Sequence, residues 1–84
     1  MIPIQELLNR LHWDSAFAQG EFIVGYYDRV EEKIIQVPLQ QVQLTPGDHF
    51  SFQVADADGY VHTVPFHRVK EVHKDSKLIW HREH

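Results

Sequence analysis

The sequence predicts an α+β domain in which a short N-terminal helix packs on a curled antiparallel sheet, or small barrel, of five to six strands. Three observations lead there. Ile4, Leu7, Leu8 and Leu11 follow the i, i+3, i+4, i+7 spacing of one helical face. Short runs of β-branched and aromatic residues follow, separated by turn signals such as Thr45-Pro46-Gly47-Asp48. The chain has 84 residues, enough for one domain spanning 1–84 but leaving little room for a deep cleft.

The elements follow in order. Pro3 suits the first turn of a helix over residues 3–11, which is too short to stand alone and must pack on the sheet. His12-Trp13-Asp14-Ser15 ends it, with Asp14 or Ser15 capping a further turn through Phe17 and Gly20 closing the segment. Phe22 to Arg29 is the first strand, and Gly25 marks a bulge or a close approach. A charged turn from Arg29 leads into a second strand, Lys33 to Val37, which Pro38 interrupts. Leu39 to Leu44 fits either a short strand or a helical turn.

Phe50, Phe52 and Val54 alternate with His49, Ser51 and Gln53, so the phenylalanines should face inward. Asp56-Ala57-Asp58-Gly59 turns that strand back through Tyr60 to Val64. Its Asp-x-Asp-x-Gly run lacks the remaining ligands of a calcium loop. Pro65 has no N–H to give a ladder and belongs at an edge, bulge or strand end. Lys74-Asp75-Ser76-Lys77 joins a last hairpin, on which Trp80 and Leu78 should share the packed face. No internal repeat stands out.

Composition narrows the function. Without cysteine there is no disulfide framework, thiolate nucleophile or zinc ribbon. The first residues lack the basic and apolar regions of a secretory signal and no stretch has the length of a membrane span, so the expected location is cytoplasmic. The net charge of −4 disfavours an extended polyanion. It is uneven, however: residues 1–66 hold three basic against nine acidic residues, and residues from 67 onward hold five against three. An acidic body with a basic end suits either a single phosphate group or simply a solvated surface hairpin.

Two constellations carry candidate chemistry. His67-Arg68 follows the re-aiming Pro65, and such a break in a sheet points side chains at ligands. In Tyr26-Tyr27-Asp28-Arg29, an aspartate beside an arginine either orients a guanidinium fork for phosphate or caps a hairpin as a surface ion pair. Seven histidines invite a metal reading, but no ligand spacing supports it, so no metal or other cofactor is expected. Two-histidine phosphoesterases use a His-x-Ser/Thr pair twice, and His49-Phe50-Ser51 supplies it once.

Taken in sequence order, Leu11-His12-Trp13-Asp14, Tyr27-Asp28-Arg29, Val37-Pro38, Val64-Pro65-Phe66-His67-Arg68-Val69 and Leu78-Ile79-Trp80-His81-Arg82 resemble the RNA cyclic group end recognition domain family. The resemblance implies recognition of RNA 3′ ends, or of a nucleotide, bearing a 2′,3′-cyclic phosphate in RNA repair or processing. It transfers to Asp28, Arg29, His67 and Arg68, with Arg82 as an addition. On this reading Arg29 and Arg68 clamp the phosphate, His67 donates a hydrogen bond, Asp28 positions an arginine and Tyr27 stacks the last base. Any catalysis then belongs to an RNA-processing partner. One alternative is a metal-independent cyclic phosphodiesterase with His67 paired to His49 or His62. Another is a protein-interaction domain that uses exposed strand edges.

Overall fold

Helix α1 (Ile4–Trp13) turns four apolar residues, Ile4, Leu7, Leu8 and Leu11, into the core, as their spacing predicts. It belongs to a computed structural model that describes residues 3–14, 19–56 and 58–82. Pro3 is the N-cap, and Asp14 ends the helix with its N–H donating to the Arg10 carbonyl at 2.9 Å. The helix therefore runs two residues past the expected end. The proposed extra turn through Ser15 and Phe17 lies outside the described residues. No helix among them is long and apolar enough to cross a membrane.

Among the described residues seven strands follow: β1 (Phe22–Asp28), β2 (Lys33–Pro38), β3 (Val42–Gln43), β4 (Ser51–Ala55), β5 (Val61–Pro65), β6 (Val69–Lys74) and β7 (Lys77–His81). They form two antiparallel sheets rather than one curled sheet, ordered β2-β1-β6-β7 and β3-β4-β5, and neither closes into a barrel. One apolar cluster joins the helix to both sheets, with Leu8, Val24, Phe52, Val69 and Val72 at or near zero exposure.

The two crossings between sheets use the same device. Val37-Pro38-Leu39-Gln40-Gln41-Val42 and Val64-Pro65-Phe66-His67-Arg68-Val69 share a Val-Pro-apolar-x-x-Val pattern that escapes a search for long repeats. In each, proline ends a strand in extended geometry and a 3-10 turn follows, Leu39–Gln41 or Phe66–Arg68. The closing valine N–H then bonds back to the first residue of the turn and starts a strand of the other sheet. The segment after Pro65 is thus a turn before it becomes β6.

Two bulges correct the simple alternation. Gly25 pairs with Glu71 and Tyr26 with Val69, which leaves Lys70 as an extra residue and lets Val69 and Val72 both face inward. A Cβ on Gly25 would stand 2.5 Å from Glu71 Cγ, so the predicted close approach is made by a side chain. On β7, Val72 pairs with Trp80 and His73 with Leu78. The inserted Ile79 separates the faces of Trp80, 6% exposed, and Leu78, 51% exposed, which the sequence reading had placed together. The β6–β7 turn has φ of 50° at Asp75 and 71° at Ser76, the positive pair of a tight type I′ hairpin.

Candidate functional site

Two hollows flank the 3-10 turn after Pro65. Such a turn has three residues per revolution, so successive side chains diverge by about 120°. Phe66 enters the core, its ring 5.4 Å from that of Phe52. His67 then leaves on the side of a larger hollow and Arg68 on the side of a smaller one.

The larger hollow, about 580 Å³, is walled by the start of α1 (Pro3, Ile4, Gln5), the approach to β4 (His49, Phe50), the turn (Phe66, His67) and the end of β7 (Trp80, Arg82). Arg82 is set by the bulge in β6: its N–H donates to the carbonyl of Lys70 at 3.0 Å. Its guanidinium lies 4.9 Å over the Trp80 ring, a cation–π contact. Nη1 makes only a long 3.5 Å contact to the His67 carbonyl, and Nε is buried with no hydrogen-bond partner among the described residues. The fold therefore uses few of the donors of this guanidinium.

Phe50 is the residue that alternation misplaced. It lies just before β4 and is 82% exposed rather than inward. The cause is Asp48, whose Oδ1 accepts the N–H groups of Phe50 at 2.9 Å and Ser51 at 3.1 Å, bending the chain before the strand begins. These bonds, that of Phe50 first, hold the Asp48 carboxyl below the usual aspartate range. Beside it, His49 Nδ1 lies 2.6 Å from Gln5 Nε2. With the amide donating, the neutral imidazole carries its hydrogen on Nε2 and is itself a donor. No carboxylate lines this hollow among the described residues.

The smaller hollow, about 220 Å³, lies between the end of β1 (Tyr26, Tyr27, Asp28) and β5 (His62, Thr63, Val64), with Val30 and Arg68 at its sides. Burial, then the nearby carboxylates of Asp28 and Asp56, push the Tyr26 hydroxyl above its ordinary pKa. Asp28 Oδ1 accepts the N–H groups of Val30 at 2.8 Å and Glu31 at 3.1 Å, so this residue caps the β1–β2 turn. His62 Nε2 meets Asp56 Oδ2 at 2.9 Å, and that bond, followed by backbone bonds from Tyr60 and Asp58, keeps Asp56 below its ordinary pKa.

The residues singled out by sequence are thus divided. Tyr27, Asp28 and Arg68 share the smaller hollow; His67 and Arg82 share the larger one with His49. Arg29 is exposed in the β1–β2 turn and is not among the residues that line either hollow, whereas Arg68, its expected partner in the clamp, lines the smaller one. Sequence reasoning missed Gln5, Phe50 and Trp80 as site residues. An Asp two residues before a Phe was the available signal for Phe50. No group of three or more His, Asp or Glu side chains among the described residues converges as a metal site would require.

No curated protein and no solved structure matches the chain. A family model does: that of the MJ1316 RNA cyclic group end recognition domain matches residues 1–82, nearly the whole chain, and the protein therefore belongs to this family.

Proposed function

We propose that the protein binds the 3′ end of an RNA carrying a 2′,3′-cyclic phosphate, as a recognition module in RNA repair or processing, and that the larger hollow receives the terminal nucleotide. The observation that carries this is the lining. In a chain of net charge −4, this hollow combines a guanidinium, two imidazoles and an exposed phenylalanine with no carboxylate among the described residues. Its volume of about 580 Å³ lies within the range of small-molecule sites. Arg82 and His67 face the cyclic phosphate, His49 donates through Nε2, and Phe50 offers a ring face to the last base. Because the site takes an end rather than a backbone, the acidic body does not oppose it.

The test is affinity for short RNAs identical except for a 2′,3′-cyclic phosphate, 3′-phosphate or hydroxyl end. Preference for the cyclic end, lost in Arg82→Ala, is the expected result; equal binding of all three removes the reading.

The shared placement of His49 and His67 favours a second reading, cyclic phosphodiester hydrolysis. One imidazole takes a proton from water as its oxygen attacks phosphorus, and the other gives a proton to the departing 2′ oxygen, leaving a 3′-phosphate. Phosphorus NMR of a cyclic nucleotide incubated with the protein decides it. An unchanged cyclic signal excludes hydrolysis and leaves the binding reading intact.

A further inference from the structure

We infer that the smaller hollow is a second RNA subsite, which holds the ribose and phosphate preceding the terminal nucleotide; this rests on the end-binding reading. Position is the first argument. His67 and Arg68 are consecutive, with Cα atoms about 3.8 Å apart, and they line different hollows. A strand that ends against His67 and continues past the turn therefore meets Arg68.

Size and chemistry agree. At about 220 Å³ the hollow lies below the roughly 300 Å³ at which small-molecule sites begin. It suits part of a strand better than a whole nucleotide with its base. Arg68 is half-buried and forms no ion pair with a carboxylate among the described residues. Its planar fork matches two oxygens of a phosphodiester. Asp28, on the same hollow, is an acceptor that a ribose 2′-hydroxyl can reach and a deoxyribose cannot use. Its Oδ1 already serves the turn, so the carboxylate is held in place when the sugar arrives. Thr63 adds a hydroxyl donor on the opposite wall. An anion fork and a carboxylate in one small hollow select a sugar-phosphate over a free anion, which the carboxylate would repel.

The experiment compares a nucleoside 2′,3′-cyclic phosphate with a dinucleotide ending in the same cyclic group, titrated into the protein. The dinucleotide should bind about tenfold more tightly, the scale of one charge-assisted contact pair. Arg68→Gln should reduce that gain to within about twofold while leaving the mononucleotide affinity as it was. A 2′-deoxy penultimate sugar should lose part of the gain in the unmodified protein. In the same protein, the amide NMR signals of Tyr27, Thr63 and Arg68 should move with the dinucleotide and not with the mononucleotide, which avoids reliance on the variant folding. A gain that survives Arg68→Gln, no gain at all, or unmoved amides would overturn the subsite. If cyclic and hydroxyl ends bind alike while the gain still depends on Arg68, the end pocket falls and this site stands.

Discussion

His67 and Arg68 are adjacent in the chain, yet His67 lines the hollow under α1 and β7 while Arg68 lines the hollow between β1 and β5. The 3-10 geometry of Phe66–Arg68 sends the three side chains in three directions, whereas in a strand the buried Phe66 and Arg68 would share one face.

Arg82 and Arg29 should separate cleanly. Arg82→Ala removes the guanidinium from the larger hollow and should weaken binding of a cyclic-phosphate RNA end by about 10- to 100-fold, as loss of a charged hydrogen bond does. Arg29→Ala, altering an exposed side chain that lines neither hollow, should change it less than about threefold. Fluorescence anisotropy with a labelled oligonucleotide measures both. Equal losses would return Arg29 to the site.

Phe50 and Phe52 are two residues apart and should fail in opposite ways. Phe50 is exposed at the hollow, so Phe50→Ala should leave the melting temperature nearly unchanged while removing about 1–3 kcal/mol of base stacking from binding. Phe52 has no exposed surface, and Phe52→Ala should cost about 3–5 kcal/mol of stability. Urea denaturation beside RNA titration distinguishes them.

Gly25→Ala tests the packing at the β1–β6 bulge. A methyl group there meets Glu71 Cγ at 2.5 Å and Ile34 Cγ2 at 3.2 Å. Glu71 would have to move, giving up its 3.1 Å bond from Gln36 Nε2, and the expected loss is about 1–3 kcal/mol by chemical denaturation. An unchanged midpoint would show that Glu71 swings aside freely.

Acid should destabilise the fold through Asp48 and Asp56. Both are held below the ordinary aspartate pKa, Asp48 first by the Phe50 N–H and Asp56 first by His62. The unfolded chain therefore takes up these protons more readily than the folded one, so the stabilisation is full above the ordinary aspartate range and is lost as pH falls below it through the lowered values of the folded state. Melting curves recorded from neutral pH downward should show this decline, and Asp48→Asn with Asp56→Asn should flatten it. A decline of the same steepness in the double variant would assign acid sensitivity elsewhere.

Local pattern made much of the architecture legible. The helical face of Ile4, Leu7, Leu8 and Leu11, the Asp28–Lys33 and Lys74–Lys77 hairpins, and Gly25 at a bulge all depend on periodicity and turn chemistry within a few residues. Phe50 and Leu78 were misread because alternation assumes an unbroken strand. The Asp48 turn breaks it at one, and the extra Ile79 shifts it at the other.

For the site, the sequence by itself determined the family, the residue types able to meet an RNA end, and the basic character of the last part of the chain. Only tertiary structure decided their grouping. The partners of His67 are Arg82, His49 and Phe50, brought from two other stretches by strand pairing and the docked helix, whereas Arg68 joins Tyr27 and Asp28 across the sheet boundary. The physical reason is that neighbours in sequence share a position but not a direction. Direction is set by the turn and bulges through which a buried core orients each side chain.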